Sequence, residues 1–437
     1  MTNYKKDALK IIGVFILTLI LVLTSENFFK FFTKETAIEI TKSHVTSTDE
    51  NTENSDNSKI EEENLSPYER EKADFAENGM KGIWISYLEM QNMNFSSEES
   101  FKSDIDRVFE NCKNMGLNTV IVQVRAFGDA FYPSAIFPYS HVITGRQGVA
   151  PNFDPLAVMV NSAHEKGLRF EAWINPYRVK MNGVPAILAE SNPANDESLV
   201  LYTENGIFYN PASEKAQDLI VNGVEEVVKN YPVDGVHFDD YFYPTADLTL
   251  DRRDYVRAAV TISPEDWRRE NVNNLIKKVY GKIKEINPEV TFGISPQGNN
   301  DNNYNIQFSD VGLWLAGGYA DYIMPQLYWG FDYKTADGGH NYAFKNILNR
   351  WRSMEKDSTV KMYIGLGAYR IGDGDGGANS QEEWQTGNNL ARMIAACKEE
   401  KRISGYCIYR YGSLFDNDSY ADLKAAEVAT ITKENMS

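Results

Sequence analysis

Hydrophobic and polar positions change their rhythm near residue 80. From there on, short runs rich in Val, Ile, Phe and Tyr alternate with longer stretches whose apolar residues recur every three or four positions. The first pattern is that of buried strands and the second that of amphipathic helices, so their alternation predicts repeated βα units around a parallel sheet. Strands are expected at 82–87, 119–125, 168–175, 235–241, 291–297, 322–328, 362–369 and 405–411. Helices are expected at 101–115, 155–166, 213–229, 266–286, 308–317, 342–354, 382–399 and 420–432. Eight such pairs over roughly 350 residues match a (β/α)₈ TIM barrel with loop insertions. An open doubly wound sheet rarely needs eight consecutive units, and no glycine-rich phosphate loop follows the first strand.

Parity within the strands refines this picture, because alternate side chains face the barrel interior and the surrounding helices. One set is apolar: Val120, Val122 and Val124, then Phe170, Ala172 and Ile174, Val236 and Phe238, Phe292 and Ile294, and Met362, Ile364 and Leu366. The other set is polar or aromatic and is expected to face inward. It holds Trp84, Ser86, Gln123, Arg125, Glu171, Trp173, Asn175, His237, Asp239, Tyr241, Ser295, Gln297, Gln326, Tyr328, Tyr363, Tyr369, Tyr409 and Tyr411. Polar groups inside a barrel are costly unless they bond each other or a ligand. Their concentration at the C-terminal strand ends is where barrels of this kind keep their active sites.

The first eighty residues follow a different pattern. Lys5, Lys6 and Lys10 precede an apolar run at 11–23, which ends in Thr24, Ser25 and Glu26. A basic tip followed by such a run is an export segment. It is short against the ~20 residues of a full span, but no small-residue cleavage site and no nearby cysteine follow it. Residues 1–32 are therefore expected to form a cytoplasmic tip and an uncleaved signal-anchor helix. The lysines place the N-terminus in the cytoplasm and the rest outside the cell, secreted if the anchor is cut. Residues 33–78, rich in Ser, Thr, Asn, Asp and Glu, are expected to be a disordered linker, and 79–437 the barrel.

Composition narrows the partners. A net charge of −18 speaks against a phosphate-backbone partner, so nucleic acid is not expected. Only Cys112, Cys397 and Cys407 occur, and the five histidines lack HxxxH or HExxH spacing. Neither a disulfide framework nor a zinc site is expected, and no cofactor is called for. Aromatic residues make up 12% of the chain, with Tyr the most frequent, which suits both barrel filling and stacking on sugar rings. A monomer is expected.

The segment from Val233 to Pro244 carries the strongest chemical signal, because strand four ends in two adjacent carboxylates, Asp239 and Asp240. Parity turns Asp239 inward with His237 and Tyr241, whereas Asp240 follows the helix-facing set unless the strand end turns it. Glycoside hydrolysis needs one protonated carboxyl and one ionised one. Asp239, among aromatics and near a second negative charge, is the first choice for the acid. A structural Asp tied to the backbone is the alternative. Glu171 on strand three, Asp129 after strand two and Asp332 after strand six are candidates for the second carboxylate. Glu171 could instead form an interior ion pair with Arg125. Arg125, Asn175, Tyr177, Arg178, Gln297 and Gln326 are candidate hydroxyl and acetamido partners. Trp173, Tyr241, Tyr243, Tyr328, Trp329 and Tyr369 are candidate stacking walls, with His237 and Asp332 beside them. Asp373-Gly374-Asp375-Gly376-Gly377 lacks the later acidic ligand of a calcium loop and reads as a flexible βα loop.

Several phrases recur together in a known pattern. They are Lys81-Gly82-Ile83-Trp84, Asn118-Thr119-Val120, Asp154-Pro155-Leu156, Ala163-His164, Ala172 through Arg178, Asp234 through Pro244, Gly293-Ile294-Ser295-Pro296, Pro325 through Trp329 and Gly365-Leu366. In combination they make residues 80–416 similar to the bacterial glycosyl-hydrolase-like ten family. The resemblance implies a (β/α)₈ barrel and an exported glycosidase acting on peptidoglycan glycan strands, especially strands stripped of their peptides. Strand four also resembles the chitinase signature DxxDxDxE, with Asp234, His237 and Asp239 in its first three places. Tyr241 stands where the acid Glu belongs, which speaks against chitinase-style substrate-assisted chemistry. Two functions are thus open. One is a glycoside hydrolase cutting N-acetylglucosamine/N-acetylmuramic acid strands from a membrane anchor. The other is a non-catalytic wall-glycan binding or scaffolding protein on the same barrel.

Overall fold

The computed structural model describes residues 65–354, 358–377, 380–416 and 419–436. The apolar run at 11–23 and most of the polar stretch after it lie outside the described residues, within which no helix is long and apolar enough to cross a membrane.

In chain order the strands are β1 (Met80–Ile85), β2 (Thr119–Arg125), β3 (Arg169–Ile174), β4 (Arg178–Met181), β5 (Val200–Thr203), β6 (Gly206–Tyr209), β7 (Gly235–Phe238), β8 (Thr291–Ile294), β9 (Tyr322–Ile323), β10 (Lys361–Met362), β11 (Ile364–Gly367) and β12 (Gly405–Tyr409). Nine of them form one sheet in the order β10-β9-β8-β7-β3-β2-β1-β12-β11, and all its pairings are parallel. The two ends of that ladder, β10 and β11, flank the single residue Tyr363. The Tyr363 amide donates to Ile323 at 3.0 Å and that of Gly365 to Pro325 at 2.9 Å. The sheet therefore returns on itself as a nearly closed barrel of eight staves, the seventh of them interrupted.

The helices α1 (Pro67–Asn78), α2 (Glu98–Asn114), α3 (Pro155–Glu165), α4 (Glu214–Asn230), α5 (Pro264–Ile286), α6 (Val311–Gly317), α7 (Phe344–Met354), α8 (Asn389–Lys398) and α9 (Ala421–Met436) alternate with the staves. Their starts are set by side chains that accept otherwise unpaired first-turn amides. Ser97, Asp154, Ser213, Ser263 and Asp310 cap α2 to α6 in this way, and prolines occupy the first turn of α3 and α5. The helix expected at 382–399 begins late. A 3₁₀ turn at Glu382–Gln385 and Gly387, with φ +68°, separate its first part from α8.

The apolar strand set packs under the helices as parity requires. Val120, Val122, Val124, Phe170, Ala172, Ile174, Val236, Phe238, Phe292 and Ile294 are all fully buried there. Inside the barrel a smaller cluster of Met80, Trp84, Ile121, Trp173, Tyr322, Met324, Tyr363 and Cys407 fills the bore. Gly293 on β8 makes room for it, since a Cβ there would lie 1.8 Å from the Tyr322 ring.

Two elements depart from expectation. The linker expected to run to 78 ends earlier, because residues 67–78 are α1, capped by a reciprocal Ser66/Glu69 box with Pro67 in its first turn. α1 lies at the N-terminal end of the staves. Its Tyr68 hydroxyl donates to Asp234, its Tyr68 ring stacks on His164 at 4.0 Å, and Phe75 lies under the Arg169 guanidinium at 4.0 Å. Its polar composition hid it, because so few of its residues are apolar that no helical stripe stands out. The second departure is an antiparallel sheet β4-β6-β5 inserted between β3 and α4, a region to which no element was assigned.

Candidate active site

The inward residues near the C-terminal ends of the staves enclose a pocket of about 310 Å³, lined by Trp84, Trp173, Asp239, Asp240, Tyr241, Ser295, Gln326, Tyr328, Tyr369 and Tyr409. Seven staves contribute: β1 and β3 the tryptophans, β7 the two aspartates and Tyr241, β8 Ser295, and the last three staves Gln326 and three tyrosines.

Asp239 stands at the pocket wall, nearly buried at 3% exposure. One oxygen accepts from Trp173 Nε1 at 3.0 Å and Asn175 Nδ2 at 3.0 Å. The other accepts from Asn175 Nδ2 at 3.2 Å and, at 3.4 Å, from the Tyr241 amide. It is thus held by side chains of the neighbouring stave and still faces the pocket. Burial lifts its pKa to about 7. The Arg178 charge opposes that rise and the Asp240 charge adds to it.

Asp240 also faces the pocket. The ladder stops at Phe238, so strand parity no longer governs the next residues. Gln326 Nε2 donates to Asp240 Oδ1 at 3.0 Å and Gln307 Nε2 to Oδ2 at 3.5 Å. Burial raises this carboxyl too, while the amides of Gln326, Gln297 and Gln307 pull it down. Two adjacent carboxyls in a dry cleft repel each other's second charge, so the pair keeps one proton near neutral pH.

The facing walls are aromatic. Tyr328 stacks on Tyr409 with ring centres 5.7 Å apart and meets Tyr369 edge-on at 5.6 Å, and Trp84 meets Tyr409 at 6.0 Å. Tyr241 (42% exposed) and Tyr369 (39% exposed) are the open parts of this surface. Arg178 lies over Tyr241 at 5.3 Å and Phe127 at 4.7 Å, with its Nε donating to the Ala126 carbonyl at 2.9 Å.

Beneath the pocket a buried polar column descends the bore. Trp84 Nε1 donates to His237 Nε2 at 3.2 Å. An indole N–H only donates, so Nε2 is the acceptor and the ring proton sits on Nδ1. Nδ1 then donates to the Tyr322 hydroxyl at 2.8 Å, and that hydroxyl donates to Glu171. Ser295 Oγ, on the pocket floor, lies 2.9 Å from Nε2. Burial holds His237 down to about 3, so it is neutral and serves as a fixed hydrogen-bond relay.

The other expected site residues divide plainly. Trp173, Asn175, Arg178, Tyr241, Gln297, Gln326, Tyr328 and Tyr369 line or adjoin the pocket. Glu171 does not: it is fully buried under Tyr322 and Thr291, deep in the bore. The ion pair with Arg125, the alternative role for Glu171, is absent as well, because Arg125 faces the helices. A register shift between Gln123 and Arg125 flips the last residue of β2 outward, where its guanidinium lies 4.3 Å from the Phe137 ring. Asp129 is buried beneath the loop that follows β2, bonded to His141 at 3.3 Å and Gln147 at 3.2 Å. Tyr177 and Tyr243 pack in the helical layer, against Phe242 and under Arg268. Trp329 joins Tyr333 and Tyr342 in a loop cluster outside the pocket lining, and exposed Asp332 sits beside Glu383 on the same loop. His237 lies below the pocket floor. Trp84, Ser295 and Tyr409 were in the inward set but were not chosen as site residues. Gln307 had no signal, since it sits in a loop with no parity to read.

A barrel with carboxylates and stacked aromatics at the C-terminal ends of its staves defines a glycosidase. The chain belongs to the glycosyl hydrolase-like 10 family, whose model matches residues 79–386. It is 35% identical over 355 residues to the glycosyl hydrolase YngK of Bacillus subtilis, covering 75% of this chain and 67% of that one. It is 33% identical over 372 residues to the glycosyl hydrolase DigH of Escherichia coli K12, covering 76% of this chain and 82% of that one. Among solved structures, the glycoside hydrolase domain of PgaB (BpsB) from Bordetella bronchiseptica shares the fold, with a TM-score of 0.53 at 12% identity over 79% of this chain and 98% of that domain.

Proposed function

We propose that this glycosidase cleaves a bacterial cell-wall glycan, the N-acetylglucosamine/N-acetylmuramic acid strand of peptidoglycan, with Asp239 and Asp240 as its acid–base pair. The observation that carries the reading is the juxtaposition of two carboxyls that keep one proton between them with a wall of stacked tyrosines across a pocket. A pocket near 300 Å³ is at the small end of ligand sites and suits one sugar ring with its substituents. The tyrosines offer flat apolar faces to that ring. Gln326, Ser295 and the Asp pair offer hydrogen bonds at its edge.

The basic tip and apolar run at the N-terminus support a further part of the reading, that the barrel works outside the cell on a single-pass anchor. Deleting residues 1–32 should then move the protein out of the membrane fraction.

The activity is tested by incubating the purified full-length protein with peptide-free glycan strands and counting new reducing ends. Release by the wild type and loss in Asp239→Asn at unchanged folding are expected. Equal release by both proteins contradicts the assignment.

A further inference from the structure

The pocket's two carboxyls come from consecutive positions at one strand end, so they stand on the same wall. Among the described residues no other Asp or Glu lines it. In a two-carboxylate glycosidase the groups flank the scissile bond, ~5–5.5 Å or ~6.5–9.5 Å apart, one of them attacking or activating water from the far side. Here that side is Trp84, Tyr328, Tyr369 and Tyr409. The other carboxylates weighed for the role are elsewhere: Glu171 is sealed in the bore, Asp129 is tied to His141 and Gln147, and Asp332 lies on the outer loop. Among the described residues no carboxylate stands on that side to be the nucleophile.

We propose that the substrate supplies it: the pocket takes a 2-acetamido sugar whose own carbonyl oxygen attacks the anomeric carbon, while Asp239 accepts the amide N–H and Asp240 protonates the leaving oxygen. This deepens the glycosidase reading above and rests on it. Asp239 suits the first role because both its oxygens already accept hydrogen bonds from Trp173 and Asn175, which stabilise its anion and fix its direction. An anion so held offsets the positive charge that develops on the amide as its oxygen bonds to carbon. Asp240 is held by flexible glutamines, Gln326 at 3.0 Å and Gln307 at 3.5 Å, and is more open to the pocket. The two carboxyls share one proton, and a substrate amide N–H laid on Asp239 favours its anion, so that with sugar bound the proton rests on Asp240. This reverses the expectation drawn from Tyr241, because the acid stands one residue earlier.

The step balances. The carbonyl oxygen forms a bond to the anomeric carbon as the bond from that carbon to the leaving oxygen breaks, and the Asp240 proton completes the new hydroxyl. The cyclic oxazolinium that results keeps its N–H on Asp239. Water then attacks the anomeric carbon and returns a proton to Asp240. The ring opens and the acetamido group is restored, so the anomeric configuration is retained and one water is consumed.

The test uses the full-length enzyme on peptide-free glycan strands that have been de-N-acetylated and re-acylated with either acetyl or trifluoroacetyl groups. Fluorine weakens the carbonyl oxygen as a nucleophile with little change of shape. A fall in kcat of about a hundredfold or more on the trifluoroacetyl strand is expected, with KM changed by less than about threefold, and products of retained configuration. Residual activity should lose its alkaline pH limb in Asp240→Asn. In Asp239→Asn the limb should persist at lower pH, because no neighbouring anion then raises Asp240. Equal kcat on the two strands, inverted products, or the opposite pattern of limbs overturns the proposal while leaving the glycosidase reading intact. Failure to cut the acetylated strand overturns both.

Discussion

Asp239 and Glu171 invite comparison, because they are both inward carboxyls on adjacent staves, both buried and both lifted by burial to about 7. They differ in height. Glu171 is level with Gly235, four residues before Asp239, or roughly 13 Å at the ordinary rise of a strand. At the lower level the bore is packed. A Cβ on Gly235 would lie 2.7 Å from the Glu171 carboxyl carbon, and Tyr322 and Thr291 cover the rest. At the upper level the staves end, the chain leaves the ladder, and a similarly perturbed carboxyl opens on a cleft. A raised pKa marks burial in both cases, and access to solvent separates a reactive group from a structural one.

The comparison is broken or sharpened by a series of variants. The largest effect is expected at Asp240→Asn, with kcat lowered about 10²–10⁴-fold, the usual contribution of a positioned acid, and Tm within a few degrees of wild type. Steady-state kinetics and thermal melts check both halves. Next, wild-type activity should fall as pH rises above the ordinary carboxylate range, because burial holds the one proton of the Asp239/Asp240 pair to higher pH and the acid loses it there. An alkaline limb beyond pH 9 contradicts that.

Glu171 gives the third test, read in stability. Its folded pKa lies above its unfolded value of 4.5, so the folded state holds the proton more tightly and stability declines as pH rises from there to about 7. Glu171→Gln removes that decline. It should be more stable than wild type at pH 8 by on the order of 1 kcal/mol and nearly equal to it at pH 4, as urea melts at the two pH values will register. The smallest effect is expected at the foot of the barrel, where Tyr68→Phe removes the hydrogen bond that ties α1 to Asp234 and costs about 0.5–1 kcal/mol without altering kcat.

Much of this was legible before any coordinates. Strand alternation fixed which residues line the bore, and inside a regular ladder it did not err: Trp173, His237 and Glu171 all face in, and Val122, Ala172 and Val236 all face out. It failed where the ladder itself is irregular. One extra residue in β2 turned Arg125 outward, a slip of register that composition does not announce. Beyond the last paired residue parity stops applying. That is why Tyr177 and Tyr243 were misplaced into the site and why the orientation of Asp240 stayed open. α1 escaped notice because its attachment rests on one tyrosine, one phenylalanine and ion pairs such as Glu71 to Lys113 at 3.0 Å, not on an apolar stripe. Height along the bore was the missing coordinate for Glu171, since sequence gives the facing of a side chain more readily than the level at which packing ends.

The most direct measurement sets Asp239→Asn beside Glu171→Gln, at equal concentrations of folded protein and neutral pH, on peptide-free glycan strands. The expected result is a loss of kcat of about a hundredfold or more for the first and less than about threefold for the second. Comparable losses in both, or a larger one for Glu171→Gln, would contradict the assignment of chemistry to the upper carboxyl pair.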